Sequence, residues 1–450
     1  MFDGTIHWGR TRARGERARG RWRIVAALAL MMSLVGTAAA PSVGAQDAEP
    51  LRIGTLFPFT GDLSDFGPNF MQAAELAAQQ INDGGGVNGQ PIELIQGDSG
   101  TAPQQAVEEG RRLVELENVA AIIGPAGSGE TLPVVESVTG PGGVVQISPS
   151  ATSPALTVAN DDDFFFRTTI SDAAQGVVLG DLALEQGYDT ACVLYVNNAY
   201  GQGLNDAFAA QYTAGGGTIT AQVPHEQEQA SYASELAACT EGAPAVLVAP
   251  AYPESGRVFL RELVESGADI DVLFTDGLKS PEMFADLGWD VFQGSYGTAA
   301  GAVTSDVGTA FDAAWEEAYG ELPPLPYLKE VYDAVYVIAL AAEKADSVDG
   351  TAIRDALREV SGAPGTVVNP GTEGWQAAVA ALDAGEDIDY EGATGAVEFD
   401  ANGDLARGLI DVWMVEGEDL PTQSTQEFDL AAAGEAASPT ADEAEATPAG

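Results

Sequence analysis

Short apolar runs alternate with amphipathic segments from residue 51 onward. The runs at 51–57, 91–96, 119–124 and 144–147 are short and bounded by turn residues, which predicts strands. Helical spacing lies between them, at 66–81, 104–116 and 130–138. The rhythm resumes after Arg167, with helices at 172–186, 204–212, 231–239 and 255–265. Strands at 191–196, 218–223, 245–249 and 271–274 separate those helices. A βα repeat sustained this long predicts parallel sheets covered by helices.

The pattern then changes. Helices are expected at 307–319, 328–344 and 351–360, joined by Gly/Pro loops such as Leu322-Pro323-Pro324-Leu325-Pro326. The apolar segments 397–399 and 409–415 flank Asn402-Gly403, a hairpin signal. Residues 421–450 are expected to be a disordered acidic tail, and 431–450 hold neither an aromatic nor a basic residue.

Composition adds a constraint on partners. Of 19 Lys and Arg, seven lie in residues 1–45, which leaves 12 against 66 acids in the remainder. So few cations cannot neutralise a phosphate backbone or anionic lipid, so no nucleic-acid partner is expected. With 45% hydrophobic residues in 450, the chain has apolar content for two or three lobes.

The seven arginines explain themselves by position. Arg10, Arg12, Arg14, Arg17, Arg19, Arg21 and Arg23 precede an apolar run at 24–36, and Val43-Gly44-Ala45 follows. This is the layout of a cleavable signal peptide at 1–45, with Ala38-Ala39-Ala40 as an earlier cleavage point. No Cys follows the apolar run, so no lipid anchor is expected. A periplasmic or extracellular location follows. Cys192 begins a strand and Cys239 ends a helix, at one edge of a βα layout, so a disulfide between them is expected after export.

Candidate chemistry sits in loops after strands. Gly124-Pro125-Ala126-Gly127-Ser128-Gly129-Glu130-Thr131 has phosphate-loop spacing except for Glu130, where Lys is required. Glu130 argues against nucleotide, and the surviving feature is Ser128 at a helix N-terminus, as anion site or as cap. Ser148-Pro149-Ser150-Ala151-Thr152 places hydroxyls and amides at the end of the next strand. Tyr200 and Tyr252 follow strands of the second half. Asp276 follows the strand at 271–274, and Ser280-Pro281 already supplies the next helix with a cap, which frees Asp276 for a ligand ammonium. His225 reads as a solvated loop residue. No G-x-S-x-G motif and no metal signature appears, so no catalytic residue, metal or cofactor is expected.

Together these segments resemble the type I periplasmic solute-binding proteins of the leucine/isoleucine/valine-binding family. The resemblance rests on Ile53-Gly54…Pro58-Phe59-Thr60-Gly61…Phe66-Gly67, on Ala77…Ile81-Asn82…Gly85-Gly86-Val87-Asn88-Gly89, on Ile147-Ser148-Pro149…Ala151-Thr152, on Phe166-Arg167-Thr168 and on Tyr200-Gly201…Gly203. It implies an α/β, two-lobed periplasmic-binding-protein-like type I fold, each lobe a parallel sheet flanked by helices, with a hinge of three crossings. The implied division is 50–168 with 299–392 as one lobe, and 169–298 with 393–420 as the other.

The resemblance also implies a site. A ligand carboxylate would be held by Ser128, Ser150, Ala151 and Thr152. Asp276 would take the ammonium, and Tyr200, Tyr252 and Phe66 would surround the ligand. The implied role is the monomeric substrate-binding protein of an ABC importer, passing an amino acid to a membrane permease. Ala126 and Gly127 replace bulkier residues of leucine-type binders, which puts a branched aliphatic preference in question. Alternative readings are a binding or sensor protein of the same fold for an amide or aromatic acid, and an exported hydrolase.

Overall fold

The computed structural model describes Met1 and residues 49–429. Apart from Met1, the expected signal peptide lies outside the described residues, as do residues 430–450.

β1 (Leu51–Phe57) is buried almost throughout, which is why it reads as a continuous apolar run rather than an alternating one. α1 (Gly67–Asp83), β2 (Ile92–Asp98), α2 (Pro103–Arg111), β3 (Ala121–Ile123), α3 (Ser128–Val134), the single turn α4 (Gly140–Gly142), β4 (Val145–Ser148) and β5 (Phe165–Arg167) follow. The five strands form a wholly parallel sheet in the order β2-β1-β3-β4-β5.

After Arg167 the chain leaves this sheet and builds a second. α5 (Asp172–Glu185), β6 (Thr190–Val196), α6 (Ala199–Ala214), β7 (Thr218–His225) and α7 (Ala233–Thr240) come first. β8 (Val246–Ala249), α8 (Pro253–Ser266), β9 (Asp271–Phe274), α9 (Pro281–Leu287) and β10 (Tyr296–Gly301) complete the repeat. The chain then returns through α10 (Asp306–Tyr319), α11 (Leu328–Ala345), α12 (Gly350–Ser361), β11 (Thr366–Val368), α13 (Thr372–Asp383) and β12 (Ile388–Tyr390). α11 is buried along nearly its whole length and packs on α1, β3 and β4, so its apolar residues run around the helix. A last crossing leads to β13 (Arg407–Met414) and β14 (Thr422–Asp429). The second sheet has the order β14-β13-β10-β9-β8-β6-β7.

Four expectations change here. The second sheet is mixed, because β13 and β14 run antiparallel at one side of its parallel strands. Thr422–Asp429 is therefore a strand and no part of a disordered tail; its largely exposed polar residues pair through the backbone of β13. Asn402-Gly403 closes only the isolated bridge between Phe399 and Leu405, and β13 pairs with β10 and β14 instead of forming the expected hairpin. That turn lies on the first sheet, where Arg167 N–H bonds Gly403 O at 3.0 Å and Phe166 meets Phe399 edge-on. Finally, His225 ends β7 buried, with Tyr232 and Phe259 against its ring and its pKa lowered by that burial.

Cys192 and Cys239 form the expected disulfide, with Cα atoms 5.5 Å apart and both side chains fully buried. It ties β6 to α7 within the second lobe. Among the described residues no helix is long and apolar enough to cross a membrane.

Candidate functional site

The loops after β1, β3 and β4 meet the loops after β6, β8 and β9 around a narrow, partly enclosed space. Ligands of open α/β sheets bind at such carboxyl strand ends. A roomier crevice of about 150 Å3 lies at the chain crossings, walled by Thr169, Glu330 and Arg407 among others. The loops after β1, β3, β4, β6, β8 and β9 do not reach it, so the smaller space is the candidate site.

Six of the eight expected residues line that space: Phe66, Ser128, Ser150, Tyr200, Tyr252 and Asp276. Ala151 and Thr152 do not. Ala151 packs with Val135, Leu156 and Phe165, away from the space. Thr152 lies against Asp172, and its carbonyl accepts the Asp172 N–H at 2.8 Å. Successive residues leaving β4 point to different sides, so one motif serves two surroundings.

Ser128 opens α3 as its first residue, with Gly127 at the cap position in extended backbone. Its hydroxyl oxygen accepts the Ser153 N–H at 3.1 Å, which leaves the hydroxyl proton free to donate. It is not the helix cap. Glu130 turns back to the Gly127 N–H at 3.3 Å, and burial pushes its carboxyl up to about 7. Ser150 donates to Ala126 O at 3.0 Å. Glu130 thus takes up the Gly127 amide and its own, and the donors left for an anion on this wall are the Ser128 hydroxyl and the Ser128 and Gly129 amides.

The opposite wall is built around Asp276. Its Oδ1 accepts from the Tyr200 hydroxyl at 2.7 Å and from Gln175 Nε2 at 2.8 Å. Its Oδ2 accepts from the Tyr327 hydroxyl at 2.7 Å. A carboxylate has about four acceptor sites, so roughly one remains for a ligand. Burial raises the Asp276 pKa, and the bonds from Tyr327, Tyr200 and Gln175 act against that rise. Asp172, at the start of α5, is fully buried; burial first and the Asp276 charge second push its pKa upward. Tyr200 stacks on Tyr252 with ring centroids 5.4 Å apart. Gly277 is required here, since a Cβ would stand 2.4 Å from Ala251 O.

Sequence reasoning missed Tyr327, Gln175 and Phe70. Tyr327 precedes α11 with a φ of 74° and brings a first-lobe hydroxyl onto a second-lobe carboxylate. Its only sequence signal is an aromatic after the Pro-rich loop. Among the described residues no group of His, Cys, Asp and Glu is arranged to hold a metal ion.

Residues 50–402 match the family described as periplasmic binding protein. The chain belongs to that family. A curated relative is the chemotactic signal transduction system substrate-binding protein BasB of Halobacterium salinarum, 29% identical over 362 residues, 78% of this chain and 84% of that protein. The Leu/Ile/Val-binding protein BraC3 of Rhizobium johnstonii is 30% identical over 317 residues, 69% and 83% of the two chains. Among solved structures, the branched-chain amino acid binding protein LivJ of Streptococcus pneumoniae in complex with isoleucine superposes with a TM-score of 0.70. The identity is 23%, and 84% of this chain and 99% of that one are covered. A solute-binding protein of an ABC transporter from R. palustris, in complex with benzoate, gives 0.67 at 19% identity, covering 84% and 96%. These proteins bind substrates and are not enzymes, which goes against the exported-hydrolase reading.

Proposed function

We propose that this periplasmic binding protein serves an ABC importer outside the cytoplasm, as a monomer that closes on one small ligand between its lobes. The ligand is an amino acid, branched-chain or otherwise apolar or aromatic, handed on to a membrane permease. The observation that supports this is the polarity of the enclosed space. One wall offers the Ser128 hydroxyl and helix amides to an anion, and the other offers the Asp276 carboxylate to a cation. A zwitterion touching both walls favours the closed state because only that state supplies both contacts. Export through the signal peptide, without a lipid anchor, belongs to the same reading.

A second reading takes the ligand as an aromatic acid or amide. Asp276 is already held by three donors, and five aromatic rings line the space, so an uncharged ring would suit it. The benzoate held by the R. palustris protein supports this, and the chemotactic relative supports a sensing role. Calorimetry of residues 46–450 against twenty L-amino acids, benzoate and small amides separates the readings. For an amino acid, Asp276→Asn weakens binding at least tenfold, as loss of a charged hydrogen bond should. Unchanged affinity in that variant selects the aromatic acid or amide.

A further inference from the structure

The turn at 62–66, between β1 and α1, carries two kinds of residue that face two places. Leu63 and Phe66 line the enclosed space. Asp62 and Asp65 reach the other lobe instead. Asp65 accepts from the Arg257 guanidinium of α8 at 3.0 and 2.8 Å, and also from the Ser280 hydroxyl. Ser280 is fixed in turn as the cap of α9, accepting the Met283 N–H at 3.1 Å. Asp62 accepts from the Ser255 hydroxyl, and its carbonyl accepts the Glu254 N–H at 3.3 Å.

Arg257 is arranged for this contact before it forms. Glu254 at 2.9 Å and Asp286 at 2.8 Å, both in its own lobe, hold two of its nitrogens and leave the third for Asp65. The Arg257 and Asp65 side chains are only 12% and 10% exposed, so water and salt screen the pair poorly. Burial, the largest single influence, acts against the guanidinium charge, and Asp65, Asp286 and Glu254 together outweigh it, so the net shift of its pKa is upward.

We propose that the 62–66 turn is a strap whose Asp65 clasps Arg257 and Ser280 across the lobes and thereby seats Phe66 and Leu63 on the ligand. Asp65 and Arg257 are then positioning residues, acting on affinity without touching the ligand. This rests on the enclosed space being the ligand site, as proposed above. The clasp is reversible by design of its surroundings. On opening, Arg257 keeps Glu254 and Asp286 while both partners regain water, so charge attraction and hydration nearly balance. A near-balanced clasp biases closure, and the ligand's own contacts decide it.

The test uses the full chain with Arg257→Met, Asp65→Asn and both together. Arg257→Lys serves as the conservative variant, and Arg261→Met, exposed one turn along α8, as control. Small-angle scattering without ligand reads closure directly. Stopped-flow dissociation of the tightest binder among the twenty L-amino acids and benzoate reads the seated ligand. Arg257→Met and Asp65→Asn should each expand the ligand-free ensemble and speed dissociation about tenfold. The double variant should do no more than the worse single one, because the two residues share one contact. Arg257→Lys should recover part of the loss, and Arg261→Met should match the parent protein. Unchanged scattering and dissociation in Arg257→Met overturn the strap. So does a loss of melting temperature that tracks the loss of affinity, which marks a merely structural role. If no probe binds the parent protein, the ligand reading fails, and scattering alone still decides the strap.

Discussion

Two buried arginines, one beside the chain crossings on the first sheet and one between the lobes, use charge in opposite ways. At the crossings Arg167 is fully buried, donating to Ala151 O at 3.3 Å, Ser153 O at 3.0 Å and the Thr157 hydroxyl at 3.0 Å, with Asp404 at 2.6 Å. Nearby, Thr168 donates to Glu330 O at 2.8 Å. Those partners come from chain that must stay together whatever the lobes do. At the strap, Arg257 and Asp65 belong to different lobes and each keeps or regains polar company when they part. A buried charge with no alternative partner is permanent structure. One with alternatives becomes a moving part.

Removing Arg167 should break this comparison most sharply. Arg167→Met leaves the Asp404 carboxylate without its cation, held only by the Thr157 hydroxyl, and about 4 kcal/mol of stability should be lost in urea melts. Arg257→Met should cost less, about 1–2 kcal/mol in the same melts, because opening of the ligand-free protein returns Asp65 to water. Equal costs would erase the distinction between the two contacts.

The disulfide tests the second lobe apart from either contact. Cys192→Ala with Cys239→Ala opens a 47-residue separation and should lower stability by about 3 kcal/mol. Ligand affinity should hold at temperatures where the variant is folded, since neither cysteine lines the enclosed space. A parallel loss of affinity would tie the site to lobe stability rather than to closure.

Stability should also follow pH. Burial pushes Glu330, on the crossing side, up to about 8, and Glu130 and Asp62, near the strap, to about 7 and 6. The folded state then holds these protons more tightly than the unfolded chain. Their stabilisation is present below the ordinary carboxyl values and is lost as pH rises from about 4 toward 8. Urea midpoints should therefore be higher at pH 5 than at pH 8, by on the order of 5 kcal/mol in stability. Glu330→Gln should flatten the part of that fall above pH 7. A midpoint that rises with pH contradicts the assignment.

Much of this architecture is readable along the chain because parallel strands buried on both faces leave unbroken apolar runs, as at Leu51–Phe57 and Val246–Ala249. Thr422–Asp429 escapes that reading, since an edge strand gains its pairing from β13 and needs few apolar residues of its own. At the site, Ser128, Tyr200, Tyr252 and Asp276 are legible because each follows a strand. Tyr327 is not, because it arrives from a Pro-rich loop more than fifty positions after Asp276 and meets it only in three dimensions. Ala151 and Thr152 belong to the same motif as Ser150 and do not line the space, which direction at a strand end decides and residue type does not. The strap is likewise invisible in sequence, since Asp62 and Asp65 look like any two surface acids in a chain with 68 of them.

The central claim is that the ligand lies between the lobes, anion toward Ser128 and the rest among the tyrosines. A crystal structure with the tightest binder from the calorimetric panel tests it most directly. The account predicts one molecule enclosed by Phe66, Ser128, Tyr200, Tyr252 and Asp276, with its carboxylate within hydrogen-bond reach of the Ser128 hydroxyl. Density for that molecule in the crevice walled by Thr169, Glu330 and Arg407, with the enclosed space empty, would contradict it.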